Sequence, residues 1–167
     1  PLNPVTANGA AAPRVNDRFY SLRDPNVLRV APGAFPNIDN NSLFDVTTKL
    51  VDNNGDIALL DASDGWFFTL GAGNGEKVLA RSITLNGTIY FTTYTPPALT
   101  NTSCAPAGTG RLYKVSLYDA KPHRNPLDIT TRGEDQDQDG IPTSPYVVVT
   151  EDNGPDVCVG RECEKPP

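Results

Sequence analysis

The sequence predicts an all-β protein, and three observations carry that expectation. Four β-type runs follow one another between residues 65 and 119: GWFFTL, VLARSITL, TIYFTTY and RLYKVSLYD. The second and third are joined by Asn86-Gly87, two residues that tolerate the positive φ a two-residue type I′ hairpin turn requires. The 167-residue chain is also turn-rich, with 16 Pro and 14 Gly, and shows no amphipathic helical period of convincing length.

The hairpin can be read in detail. A two-residue loop sets Leu85 opposite Thr88 and Ile83 opposite Tyr90, so Ile83, Leu85, Tyr90 and Tyr94 share one face. Val78, Ala80, Ile89 and Phe91 then share the other. A hairpin apolar on both faces must be sandwiched between further layers, and the chain is expected to be too short to supply both itself. In the fourth run Tyr113, Val115 and Leu117 alternate with Leu112, Lys114 and Ser116, the pattern of a strand nearer the sheet edge.

Taken in order, residues 1–15 are small, Pro-containing and aperiodic, an extended arm or linker. Residues 18–22 form a short strand, 24–26 a turn, 27–30 a candidate second strand and 31–41 an irregular loop. Residues 43–51 fit either a strand or a short helix. Residues 52–56 are a turn cluster, 57–60 are too short to assign, and 61–65 either cap one helical turn or make a plain turn before Trp66. The Gly-rich stretch 71–75 lacks the Lys-Ser/Thr ending of a phosphate loop and reads as a hairpin loop. Beyond residue 119 the chain is polar and loop-rich, with one clear strand at 146–150 and an acidic tail at 151–167.

The most specific local signal is Asp135-Gln-Asp137-Gln-Asp139-Gly140-Ile141. Carboxylates at positions 1, 3 and 5, Gly at 6 and a carbonyl from Ile141 at 7 match the first half of an EF-hand-type Ca²⁺ loop. Crowded carboxylates repel one another unless a hard dication neutralises them. Thr143 stands at position 9, but position 12 is Tyr146, where a bidentate acid is expected; Glu134, Glu151, Asp152 or solvent would have to complete the site. Cys158 and Cys163 are close enough in sequence for a small disulfide loop in an oxidising compartment. Cys104 is then left free or bridged elsewhere, and pairing of Cys104 with a tail cysteine stays open.

A net charge of −6 argues against a nucleic-acid partner, and no apolar run approaches the ~20 residues of a membrane-spanning helix. The chain begins with Pro and has no Met, which suggests a processed chain, an engineered one or a segment of something longer.

The succession Gly65-Trp66, Gly75 through Leu79 (GEKVL), Phe91-Thr92-Thr93 and Cys104 through Thr109 (CAPAGT) before a Leu-Tyr strand resembles the last β-propeller blades of the PilY/PilC family. These are type IV pilus tip-associated adhesin and biogenesis proteins. The match is close over about a third of the chain, and NDRFYSLRD at 16–24 extends it weakly. The resemblance implies terminal four-stranded blades over 16–119, incomplete in this chain, and a loop-rich segment 120–167 holding the calcium loop and the cysteines. It further implies a bacterial, extracellular location at the pilus tip. The implied partners are the remaining blades from a longer or separately cleaved chain, minor pilins, and a host or abiotic surface.

No nucleophile with a His base and no catalytic pair of carboxylates stands out, so a non-enzymatic role is expected. The alternatives are a β-rich subunit of an extracellular fibre and, further off, a quinoprotein-like propeller enzyme.

Overall fold

The structure, a computed structural model, describes residues 15–24, 37–71, 73–97, 108–151 and 154–166, without the side chains of 137–139. The N-terminal arm up to residue 14, the candidate strand at 27–30 and Cys104 lie outside the described residues.

The elements run β1 (Arg18–Leu22), β2 (Phe44–Asp45), α1 (Asn54–Asp61), β3 (Gly65–Thr69), β4 (Lys77–Val78), β5 (Ile83–Leu85), β6 (Thr88–Thr95) and β7 (Thr109–Ser116). A 3₁₀ turn (Ile129–Arg132) follows, then β8 (Gly133–Asp139), β9 (Tyr146–Thr150), β10 (Gly154–Val159) and β11 (Glu162–Glu164). The protein is mainly β, built from three open sheets ordered β1-β3-β2, β4-β6-β7-β8 and β11-β10-β9, with β5 also paired to β6. In the central sheet β5, β6, β7 and β8 form a consecutive antiparallel meander.

The Asn86-Gly87 turn forms as its residue types dictate. Their φ values are 50° and 76°, and the ladder pairs Ile83 with Tyr90 and Leu85 with Thr88. Strand β6 is buried on both faces from Thr88 through Thr93. Its inner face meets the first sheet: Phe19 stacks on Phe91 at 4.0 Å, Phe91 stacks on Tyr113 at 4.8 Å, and Phe68 lies 5.9 Å from Tyr113. Trp66 joins this core and donates its indole N–H to the Leu117 carbonyl at 3.0 Å. A side chain at Gly65 (φ 141°) would overlap the Ser21 carbonyl, so β1 can lie this close to β3 only over a glycine.

The outer face meets the third sheet. Thr92 Oγ1 donates to the Thr143 carbonyl at 3.0 Å, and Lys114 reaches Glu164 on β11 at 2.5 Å. Both layers over β6 therefore come from this chain, correcting the expectation that it is too short to provide them.

Four local expectations are also revised. Residues 54–61 are helical: the 52–56 cluster supplies Asn53, an N-cap whose side chain accepts from the Asp56 N–H at 2.9 Å. In the undecided 43–51 stretch only Phe44–Asp45 is strand, running parallel to β3. The 71–75 stretch does not close a hairpin, because β3 and β4 belong to different sheets. The run at 133–139 is a strand, and it places β7 inside the sheet with β8 at the edge.

Candidate functional site

The residues expected to bind calcium lie at the rim of the central sheet. Asp135 sits on β8 opposite Arg111, and its carboxylate is 2.8 Å from the guanidinium Nε. Between Asp135 and Asp139 the strand is irregular: those residues face Arg111 and Thr109, so four steps along β8 match two along β7. A bulge of this kind re-aims side chains at a sheet edge. The side chains of Asp137 and Asp139 lie outside the described residues. Ile141 is exposed, and Thr143 is committed twice, its hydroxyl accepting from the Gly160 N–H at 2.8 Å and its carbonyl from Thr92. Among the described residues no three His, Cys, Asp or Glu side chains converge as a metal cage. The donor chemistry suits a hard cation, but Asp135 would have to give up Arg111 to take part.

Cys158 and Cys163 are joined in a disulfide, across from each other on β10 and β11. The bond lies in the layer that covers the outer face. Beneath it Val157 and Val159 are buried, and with Leu112 and Lys114 they line a cleft of about 190 Å³. Lys114 is held between Glu164 at 2.5 Å and Glu134 at 3.2 Å, which explains how an ammonium comes to be buried here. Tyr90, on the same face, has its phenol pushed up to about 12, first by burial and then by the nearby Glu164 carboxylate.

Two buried polar groups were not anticipated from sequence. Glu76 accepts from Thr93 Oγ1 at 2.5 Å and from the Tyr113 hydroxyl at 2.9 Å, both on Oε1. Its Oε2 is buried without a hydrogen-bond partner among the described residues. Burial, and then the Glu76 carboxyl group, holds the Tyr113 phenol well above the usual range. The signal was available: Glu76 is the acid of the Gly-Glu-Lys-Val-Leu segment, although nothing in that segment says its side chain turns inward.

Arg132 is the second. Its guanidinium donates to the carbonyls of Ala120 (2.9 Å), Val46 (2.8 Å) and Lys49 (2.9 Å), and it lies 5.1 Å from the Phe68 ring centroid. Burial lowers its pKa to about 10, against the opposing pull of Asp119, Tyr113 and Asp45. Three carbonyls with open lone pairs make a cationic staple between the 3₁₀ turn and the loop after β2. No sequence pattern marks such a residue.

The wider cleft, about 430 Å³, is lined by Asn16, Asp17, Arg18, Tyr20 and Val78. Its acid is already paired, with Asp17 2.8 Å from Lys77. In each cleft one ion pair joins two sheets, Asp17–Lys77 in the wider and Lys114–Glu164 in the narrower. No family model, curated protein or solved structure matches the chain. No helix among the described residues is long and apolar enough to cross a membrane.

Proposed function

We propose that the chain is a non-enzymatic module of a bacterial cell-surface assembly, the C-terminal blades of a PilY/PilC-type pilus tip adhesin. The observation that carries this reading is the consecutive four-stranded meander β5-β6-β7-β8, with β6 and β7 buried on both faces, which is how a propeller blade is built and packed. The motifs behind the resemblance fall on successive strands of the first and central sheets. Gly65-Trp66 opens β3, the Gly75-to-Leu79 segment contains β4, Phe91 through Thr93 is the middle of β6, and Thr109 opens β7. The disulfide suits an oxidising, extracellular compartment.

In this role the stacked sheets are a rigid platform, with minor pilins and the remaining blades as partners and a host or abiotic surface as target. Purification of the whole protein from its source tests the reading. Recovery with minor pilins or with a chain carrying further blades supports it; recovery alone, or with a bound quinone absorbance, overturns it.

Calcium belongs to the same proposal. Bound at the rim by Asp135, Asp137 and Asp139, with the Ile141 carbonyl and Thr143, it would order the bulge at about 10⁻⁴–10⁻³ M, the range of extracellular modules. Chelator is expected to lower the melting temperature, and Asp137→Ala to abolish that sensitivity. An unchanged melting curve in chelator ends the calcium claim and leaves the adhesin reading standing. The fibre-subunit reading is favoured by β8 and β9 being outermost strands among the described residues, and regular filaments from this chain alone would establish it over the first.

A further inference from the structure

Among the described residues β9 (YVVVT) is an outermost strand, paired only with β10, and all five of its residues are exposed, Val149 to 74%. A neutral, apolar strand with an open edge is what other sheet edges are built to avoid.

Its ladder direction can be derived twice. The hairpin β10–β11 has the two-residue loop Gly160-Arg161, closed by Val159 opposite Glu162. Such a loop is closed by a hydrogen-bonded pair, so Val157 and Val159 bond to β11, while Gly154, Asp156 and Cys158 bond to β9. Their partners Thr150, Val148 and Tyr146 therefore point their backbone groups inward, and Val147 and Val149 point theirs outward. Pro155 gives the same answer independently. It has no N–H and stands opposite Val149, in the non-hydrogen-bonded phase that this parity assigns to it.

We propose that the occupant of this edge is the β9 strand of a second copy, paired antiparallel about a two-fold axis at Val148. In that register Val147 lies across from Val149 of the other copy as a hydrogen-bonded pair, Tyr146 across from Thr150, and Glu151 across from Pro145. No acid faces an acid, although the chain carries a net charge of −6. The four outward N–H and C=O groups of Val147 and Val149 are all satisfied, and the third sheets of two molecules become one six-stranded sheet. The acidic edge strand β8 behaves oppositely. Antiparallel self-pairing of β8 (GEDQDQD) about Gln136 puts Asp135 across from Asp137, and about Asp137 it puts that residue across from its own copy. A two-fold pairing at β9 uses that edge once in each copy and so closes a dimer. The inference does not rest on the adhesin reading.

The test is sedimentation of the whole chain over a concentration series, with variants. Wild type is expected to shift from 17.9 kDa towards twice that mass as concentration rises. Val149→Pro removes only an outward N–H, and is expected to melt like wild type and remain monomeric. In a Cys104→Ser background, Val148→Cys is expected to form an intermolecular disulfide on mild oxidation, since the axis brings the two sites to about 4.5 Å. Val149→Cys is expected not to, its copies being two residues out of register, about 8 Å apart and beyond disulfide reach. A wild-type chain monomeric up to about 1 mM, the weak end of specific association, overturns the proposal and leaves the edge to a strand of another protein. So does cross-linking by Val149→Cys in place of Val148→Cys, or assembly beyond the dimer.

Discussion

The two faces of the central sheet are sealed by different means. The inner face is closed by stacked rings, Phe19 on Phe91 on Tyr113, with Trp66 and Phe68 alongside. The outer face is closed by a thin three-stranded sheet held by a disulfide, two valines and a lysine between two carboxylates. Aromatic burial is proportional to area and indifferent to redox state. The outer seal depends on redox state through its disulfide. The same strands thus carry one permanent face and one conditional face.

The largest expected effect tests the permanent face. Phe91→Ala removes the middle ring of the stack and is expected to cost about 3–5 kcal/mol of unfolding free energy, measured by urea denaturation. A loss below about 1 kcal/mol would mean that the two seals do not differ in kind. Next is Arg132→Ala, which strands two buried carbonyls and a part-buried one beside the inner core and is expected to cost about 3 kcal/mol. Lysine at this position should recover only part of the loss, because a point charge cannot reach three divergent acceptors.

Reduction of Cys158–Cys163 acts on the conditional face. The bond closes a loop with a sequence separation of only 5, so the chain-entropy gain is about 2 kcal/mol. Amide exchange should quicken in β9, β10 and β11 and stay slow in β3 and on β6. Uniform quickening in every strand would show that the layers do not open separately.

The same division explains what the sequence made legible. The inner face was readable because its determinants are local: alternation in TIYFTTY and RLYKVSL, and a turn pair whose chemistry sets the register. The Ile83-to-Tyr90 pairing follows from those alone. The strand YVVVT was equally plain. β8 was not, because an edge strand written GEDQDQD has the composition of a solvated loop, and its pairing depends on β7 being free on that side. The helix at 54–61 was hidden by Asn53, whose residue type serves a cap and a turn alike. Of the site residues, the Cys158–Cys163 bond was legible from spacing. Glu76, Lys114 and Arg132 were not, since each is buried only by partners distant in sequence: Tyr113, Glu164 and Val46 respectively. The expectation that outside chains must cover the hairpin erred for the same reason. It treated the acidic tail as irregular, whereas the disulfide folds that tail into the missing layer.

The smallest effect compares the faces through one tyrosine on each. Both phenols are held above their ordinary value of 10.0, Tyr90 at about 12 and Tyr113 higher still, with burial the first cause in each. A phenol whose folded pKa is raised stabilises the fold fully below pH 10, and that contribution is lost as pH rises through the folded value. Stability should therefore be flat in this respect up to about pH 10 and fall above it. Phenolate absorbance should show Tyr90 ionising before Tyr113, which ionises only on unfolding. The second cause separates the two: Glu164 for Tyr90, Glu76 for Tyr113. Glu164→Gln should bring Tyr90 ionisation to lower pH without moving Tyr113, because the carboxylate it removes lies on the outer side of the sheet alone. If that substitution shifts both phenols together, charge on one face is felt through the sheet at the other, and the two seals are electrostatically a single one.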